Sequence, residues 1–151
     1  MVTTMRATAV FEVTHGQYMV QDDGVPLPAA IEGDGIVFPG EEPALGAVIL
    51  TGTFYGPVEV TVDVLDTPPP PAEPDGWERV EETTLTAAGD LIGVYPLMDE
   101  APEGLPELAV KPGDSYSVRV SIRGFQAGAE REQYPTGEPP VEEHLVQLWP
   151  T

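Results

Sequence analysis

The feature that most constrains the fold of this sequence is a strict alternation of apolar and polar residues in short segments. In "VEVTVDVL", Val58–Leu65, valine fills every second position, and Glu59, Thr61 and Asp63 lie between the valines. The segment "DSYSVRVSIRG", Asp114–Gly124, repeats this pattern with one tyrosine, two valines and one isoleucine. A period of two residues is typical of an antiparallel strand with one buried face. We expect both segments to be paired or facing strands of one core.

Seven other segments have the composition of short strands, which brings the expected number to about nine. They are Thr8–Val13, Gln17–Gln21, Gly35–Phe38, Ala47–Phe54, Trp77–Thr86, Asp90–Tyr95 and His144–Trp149. The chain contains 16 Gly and 18 Pro, which interrupt nearly every gap between these segments. No window of twelve residues holds a helical apolar stripe free of Gly and Pro. The sequence therefore predicts an all-β protein with very little helix, as an antiparallel β-sandwich or a Greek-key barrel.

Three turns are predicted to close hairpins between consecutive strands. They are Thr14–Gln17, Phe54–Val58 and Thr86–Leu91, and each contains a glycine. In the third turn Gly89 is expected to supply the positive φ that tight hairpin turns require.

A proline-rich segment, "DTPPPPAEPDG" at residues 66–76, separates two of the strand patterns. Proline cannot donate to a β-ladder and favours the extended polyproline II conformation, which rises about 3.1 Å per residue. The segment is therefore long enough to cross a small sandwich. Since the strand patterns on its two sides look alike and 151 residues is the size of one domain, we expect an intradomain crossover in a single domain spanning residues 1–151. The alternative is a linker between two domains.

The charge of the chain narrows the range of partners. There are 26 acidic residues against 6 basic ones, for a formal net charge of −20. Such a field repels nucleic-acid backbones and anionic membranes, so we expect neither as a partner. A basic protein partner and a purely solubilising role of the charge both stay open.

The longest apolar run, Ala47–Leu50, is too short to span a bilayer, and the first residues lack the pattern of a signal peptide. We therefore expect a cytoplasmic protein.

The residue types that carry catalysis are scarce. The two histidines, His15 and His144, fall in a predicted turn and at the start of the last strand. No nucleophile elbow, phosphate-binding loop or metal-ligand motif is present, and the absence of cysteine excludes thiolate metal sites. Acidic segments at Gln21–Gly24 and Glu32–Gly35 could offer oxygen ligands to calcium, but Asp and Gly also favour turns. We expect no catalytic residue, no cofactor, no metal and no enzymatic activity.

Basic residues are few enough to be informative. Arg119 and Arg123 share one face of a predicted strand. They are interpreted either as cross-strand partners of acids such as Glu78, Glu82 or Glu142, or as the lining of a small anion-binding pocket.

A tryptophan follows the proline-rich segment and is surrounded by acids. Trp77 has Asp75, Glu78, Glu81 and Glu82 as neighbours in the sequence. An aromatic side chain among carboxylates is typical of a contact patch for a basic, partly apolar surface. The alternative is a core tryptophan at the start of a strand. These five residues are the predicted partner-binding site.

The alternation within this strand places Glu78, Val80 and Glu82 on one face, with Trp77 and Glu81 on the other. Each face thus carries both charge and an apolar residue. This mixture indicates an edge strand or a bulge.

Several of these segments together resemble a known family. The opening "FEVTHGQYMVQD" is followed in order by "WERVEETTL", "KPGDSYSVRV" and the closing "HLVQLWP". This order resembles the competence protein J family, inhibitors of a DNA-entry nuclease, and related acidic bacterial proteins; the proline run departs from the family pattern. The resemblance implies binding and blocking of a nuclease, whose cationic groove a carboxylate-rich surface would occupy as a polyanion mimic.

Four functional hypotheses follow. The sequence favours a non-catalytic protein-binding module, an inhibitor or immunity-type partner of a basic enzyme such as a nuclease. The alternatives are a β-domain that binds a small anion through Arg119 and Arg123, an enzyme of unrecognised type, and a structural module of a larger assembly such as a phage particle. The first requires an acidic face, the second a pocket lined by both arginines, and the third a cleft with converging polar groups. The sequence does not predict the oligomeric state.

Overall fold

The computed structural model describes residues 3–22, 35–39, 44–71, 76–96, 102, 104–130 and 139–151. In chain order the elements are β1 (Thr3–Val13), β2 (Gln17–Gln21), β3 (Val37–Pro39), β4 (Gly46–Leu50), β5 (Gly56–Leu65), β6 (Arg79–Thr86), β7 (Leu91–Pro96), β8 (Leu108–Ala109), β9 (Ser115–Arg123), α1 (Phe125–Glu130) and β10 (Glu143–Pro150). They build two sheets of five strands, in the orders β1-β5-β10-β9-β6 and β3-β4-β2-β7-β8.

The core lies between the two sheets and is filled by the apolar positions of the alternating segments. Val60 of β5 and Val120 of β9 face Val20 and Ile49 of the second sheet, and all four side chains are fully buried in one cluster. Strand accounts for 58% of the described residues and helix for 5%, and the sheets do not close into a barrel. The prediction of an all-β sandwich with very little helix is confirmed, and the barrel alternative is excluded.

The first sheet is mixed, which the sequence did not predict. Strand β10 pairs parallel to β5 on one side and antiparallel to β9 on the other. Because β10 lies between β5 and β9, the prediction that Val58–Leu65 and Asp114–Ile122 are paired or facing strands is wrong, although both contribute to one core. The physical reason is that alternation identifies the buried face of a strand and carries no information about its neighbour.

The three predicted hairpin turns are corners between the sheets. Each joins a strand of one sheet to a strand of the other: β1 to β2, β4 to β5, and β6 to β7. At the first corner only Thr14 and Gln17 form an isolated bridge, and His15 and Gly16 have φ of 59° and 66°. The hairpin prediction is therefore wrong, since the tight turn carries the chain across the sandwich.

Gly89 does not have the positive φ expected of it. Instead, the carboxylate of Asp22 lies where the Cβ of a larger residue would stand. The glycine at this corner is thus required for space, because it lets the end of β2 approach the β6–β7 connection.

The described part of the proline-rich segment, residues 66–71, leaves β5 and leads towards β6 of the same sheet. Because β10 and β9 lie between these strands, the connection has to cross both. Pro69 is buried and lines a groove with Arg119, Ser121 and Leu145 on the outer face of the first sheet. The segment therefore lies on the sheet as a cover.

Two elements were not predicted: the two-residue strand β8 and the short helix α1. Both are shorter than the windows in which periodicity can be recognised. Within the described ranges, no helix is long and apolar enough to cross a membrane.

Candidate protein-binding surface

The strand that carries most of the predicted site, β6, forms one edge of the first sheet and pairs with β9. Along β6, Val80, Glu82 and Thr84 are exposed, whereas Glu81 is half-buried and Leu85 is buried. The alternation expected from Val80 to Leu85 and the edge position are both confirmed. Trp77 departs from it: it was expected on the face opposite Glu82, but it lines the groove on the outer face of the sheet with Arg119, the partner of Glu82. One side of this strand therefore presents an apolar residue and a carboxylate to solvent.

Trp77 lies two residues before the start of β6 and is half-buried. The guanidinium carbon of Arg123 stands 4.0 Å from the centroid of its ring. Arg123 also pairs with Glu143 on β10, with an N–O distance of 3.6 Å. Cation–π contacts of this kind stabilise exposed sites by about 0.5–1 kcal/mol. The tryptophan is thus held at the edge of the sheet by an arginine.

Glu78 joins the edge strand to helix α1. Its Oε2 atom accepts a hydrogen bond from the backbone N–H of Gln126 at 3.0 Å. Gln126 is the second residue of the helix, where the N–H groups have no partner within the helix and a negative charge is favourable. The backbone N–H of Glu78 donates to the carbonyl of Ile122, which continues the β6–β9 ladder. The carboxylate is therefore held in position while the residue stays exposed.

Glu81 faces the other sheet. Both of its carboxylate oxygens accept the N–H of Ile36 at 2.9 Å, and Oε1 also accepts the N–H of Val37 at 3.1 Å. Glu81 thus joins β6 to the start of β3. This carboxylate is engaged in contact between the sheets, so we do not place it on the binding surface. Asp75 lies outside the described residues.

Glu82 pairs with Arg119, its register partner on β9. The Oε2 atom of Glu82 accepts a hydrogen bond from Nε of Arg119 at 2.9 Å, and a terminal nitrogen of Arg119 forms an ion pair with the same oxygen at 2.9 Å. Arg119 also donates to the carbonyl of Pro70 at 2.7 Å, and its guanidinium carbon lies 5.7 Å from the ring centroid of Trp149. Arg119 is buried, whereas the side chain of Glu82 remains 49% exposed. The arginine therefore fixes the proline-rich cover and orients a carboxylate that faces solvent.

The two arginines of the anion-binding alternative both have carboxylate partners. Arg119 pairs with Glu82, as the cross-strand interpretation expected, and Arg123 pairs with Glu143 rather than Glu78 or Glu142. The groove beside Arg119 has a volume of about 170 Å³, below the roughly 300–1,000 Å³ of typical ligand pockets. This geometry favours the cross-strand interpretation.

A buried polar network was not predicted. The Tyr18 hydroxyl lies 2.8 Å from Nδ1 of His144, whose Nε2 lies 2.5 Å from the Glu142 carboxylate. The same carboxylate accepts hydrogen bonds from the N–H of Gly52 and from the N–H and hydroxyl of Thr53. Burial, and secondly the nearby charge of Glu142, raise the pKa of Tyr18 well above its ordinary value.

The three titratable groups of this network have 2% exposure or less, and they bind each other and the corner between β4 and β5. The arrangement holds β10 against the second sheet. The signal in the sequence was the spacing of Glu142 and His144, which are two residues apart and therefore share one strand face. Within the ranges that the structure describes, no three His, Asp or Glu side chains are grouped so that they could hold a metal ion.

The class that the fold and surface define is an acidic two-sheet β-sandwich with a charged edge strand, and two solved structures share this fold over nearly their whole lengths. One is described as crocagin biosynthetic gene J; it is 15% identical, and the match covers 97% of each chain with a TM-score of 0.59. The other is ComJ from Bacillus subtilis, described as an inhibitor of the DNA degrading activity of NucA. It is 7% identical, and the match covers 99% of this chain and 98% of ComJ with a TM-score of 0.61.

At these identities the likeness shows the fold alone. At that level it confirms the resemblance to the competence protein J family that the sequence predicted. No protein-family model and no curated protein matches the sequence.

Proposed function

We propose that this protein is a non-catalytic binding module that inhibits a basic enzyme, such as a nuclease, in the cytoplasm. The likeness in fold to ComJ, an inhibitor of a DNA-degrading activity, supports an inhibitor-type module. The net charge of −20 supports a cationic partner. The observation that carries the proposal is the surface formed by Trp77, Glu78, Val80 and Glu82, called here the β6 surface.

The β6 surface combines charge with an apolar centre. Val80 is 37% exposed and lies between Glu78 and Glu82 along one face of the strand. Complementary charge raises the rate of encounter with a cationic groove, whereas apolar contact supplies the short-range part of the affinity. A groove built for a DNA backbone would meet carboxylates where phosphates normally lie.

The carboxylates of this surface are oriented before a partner arrives. Glu78 is held by the Gln126 N–H and Glu82 by Arg119. Immobilising a flexible side chain on binding costs about 0.5–1.5 kcal/mol. Because the contacts already restrict these two side chains, less entropy is lost when a partner docks.

The test is to replace Glu78 and Glu82 together by lysine. The measurements are the association rate with a purified cationic nuclease from the same cell, and inhibition of its DNA cleavage, at ionic strengths of about 0.05 and 0.5 M. We expect association to slow by about tenfold or more at the lower ionic strength and to depend less on salt. Glu78→Lys should change the melting temperature little, whereas Glu82→Lys places a cation beside Arg119 and can destabilise the fold. The double variant Glu78→Gln, Glu82→Gln removes both charges without adding cations, so it is measured in parallel.

The matched control replaces Asp90 and Asp114 by lysine. Both aspartates are exposed and lie beyond the Thr86 end of β6, at the opposite end of the strand from Glu78, and the two double variants change the net charge equally. If the control slows association as much as the β6 variant, total charge and not this surface governs binding. Unchanged binding of both β6 variants would exclude the β6 surface as the site.

A further inference from the structure

Strand β1 forms the edge of the first sheet opposite β6. It has eleven residues, and among the described strands it pairs only with β5. It contains neither proline nor lysine, and Val10 on it is 55% exposed. A long edge strand with exposed apolar residues is a template for pairing with another chain.

The other edges in the described part of the chain are protected. Strand β3 has three residues and ends at Pro39, and β8 has two residues. Strand β6 carries the adjacent acids Glu81 and Glu82, which would approach each other if two copies of this edge paired. Short strands, prolines and charges are the usual devices that prevent edge pairing, and β1 has fewer of them than the other described edges.

The sequence of β1 is complementary to itself. If two copies pair antiparallel with Ala9 on the two-fold axis, Arg6 lies opposite Glu12 on both sides of the axis, and Thr8 lies opposite Val10. These four side chains share the exposed face of the strand. Moving the axis to Thr8 or to Val10 separates Arg6 from Glu12, and a slip of one residue in the pairing brings the exposed face of one copy opposite the inner face of the other. Charge therefore selects a single register.

Arg6 keeps the capacity for this second contact. It donates to both carboxylate oxygens of Asp63 on β5, which is buried, yet the arginine side chain is 58% exposed. A guanidinium has five N–H donors, and Asp63 occupies two of its nitrogens. Hydrogen atoms thus remain on the guanidinium for the Glu12 carboxylate of a second copy.

We propose that β1 pairs with β1 of a second copy of this chain, in the register with Ala9 on the two-fold axis. The five-stranded sheets that contain β1 in the two copies then form one continuous sheet of ten strands. The interface is isologous, since the same residues occur on both sides. The two Val10 side chains become diagonal neighbours at about 7–8 Å, within reach of apolar contact.

A second copy fits β1 better than the basic partner proposed for β6. Strand β1 carries one arginine and one glutamate, so its own charges balance and offer little to a cationic surface. The remaining acids of two copies repel each other. At physiological ionic strength, however, salt largely screens the repulsion between exposed charges that are more than about 8 Å apart. The interface consists of a single strand pair, so the dimer belongs to the weak, concentration-dependent class.

The test is sedimentation velocity on the whole chain at concentrations from about 10 µM to 1 mM, at ionic strengths of about 0.05 and 0.5 M. We expect a monomer–dimer equilibrium that tightens at the higher ionic strength. The complex with a basic enzyme should instead weaken at the higher ionic strength, because it depends on attraction between opposite charges. The dimer and the inhibitor proposal can therefore be tested and rejected separately. A parent chain that stays monomeric over this range would overturn the dimer.

Two variants locate the interface. Val10→Lys brings two cations close to each other and to Arg6, and Glu12→Arg places arginine opposite Arg6. Each should weaken dimerisation by about tenfold while circular dichroism and melting stay close to those of the parent. The matched control is Val80→Lys, which changes an exposed valine on the opposite edge of the same sheet and should leave the dimer intact. Dimerisation of Val10→Lys like the parent, or its loss in Val80→Lys, would overturn the assignment to β1.

Discussion

Arg119 connects more of the outer face of the first sheet than any other residue considered above. It joins Glu82 of the edge strand, the carbonyl of Pro70 and the ring of Trp149. Removing the Arg119 side chain takes this donor away from the Pro70 carbonyl. Because the arginine is buried, its removal also leaves an empty space on the outer face of the sheet. This residue was singled out from the sequence by its strand face, but its contact with the proline-rich segment depends on where the chain returns.

Arg119→Ala should destabilise the protein by about 2–3 kcal/mol, because a charge-assisted hydrogen bond and buried contacts are lost together. Arg123→Ala is the matched control: its pair with Glu143 is about half exposed on both sides, so the loss should be about 1 kcal/mol or less. Urea unfolding followed by tryptophan fluorescence measures both. Equal losses in the two variants would show that Arg119 does not fix the cover.

Two buried tyrosines differ in whether their hydroxyl has a partner. Tyr18 binds His144, whereas the Tyr116 hydroxyl has no hydrogen-bond partner in the described structure. We therefore expect Tyr18→Phe to cost about 1–2 kcal/mol at neutral pH, and Tyr116→Phe to be neutral or slightly stabilising. A comparable loss in Tyr116→Phe would contradict the unpartnered hydroxyl.

The same pair predicts a dependence on alkaline pH. Burial raises the pKa of both hydroxyls, assisted by the charge of Glu142 for Tyr18 and of Asp22 for Tyr116. A tyrosine whose pKa is higher in the folded state stabilises the fold below its unfolded pKa of about 10, and this stabilisation is lost as pH rises towards the folded pKa. The free energy of unfolding should therefore fall above about pH 10, and less steeply in each Phe variant.

At the level of elements, alternation and composition in the sequence predicted nine of the ten described strands, but not which strands are neighbours. The buried valines of β5 and β9 gave a clear period of two, whereas nothing in either segment indicates that β10 separates them. The edge position of β6 was one of the two predictions made from its sequence, because each face of the strand carries both charged and apolar residues. The roles of Glu78 and Glu81 could not be predicted, because their partners, the N-terminus of α1 and the start of β3, are 48 and 45 residues away in the chain.

At the level of the whole molecule, the net charge of −20 opposes compactness as well as association. Screening this repulsion should raise the melting temperature by a few degrees between ionic strengths of about 0.05 and 0.5 M. The two lysine double variants described above carry less net charge, so their melting temperatures should rise less. Scanning calorimetry measures this, and a fall in melting temperature with salt would indicate that attractive ion pairs dominate.

The position of β10 also bears on how the chain is made. Strands β5 and β9 are both synthesised before β10, and each leaves a row of hydrogen-bonding groups open until β10 is inserted between them. The first sheet therefore cannot close while the ribosome is still adding residues 143–150. Contacts between segments far apart in sequence fold slowly, and unpaired edges favour aggregation in the interval. The time until residues 143–150 have left the exit tunnel thus contributes to how long the open edges of β5 and β9 are exposed to misassembly.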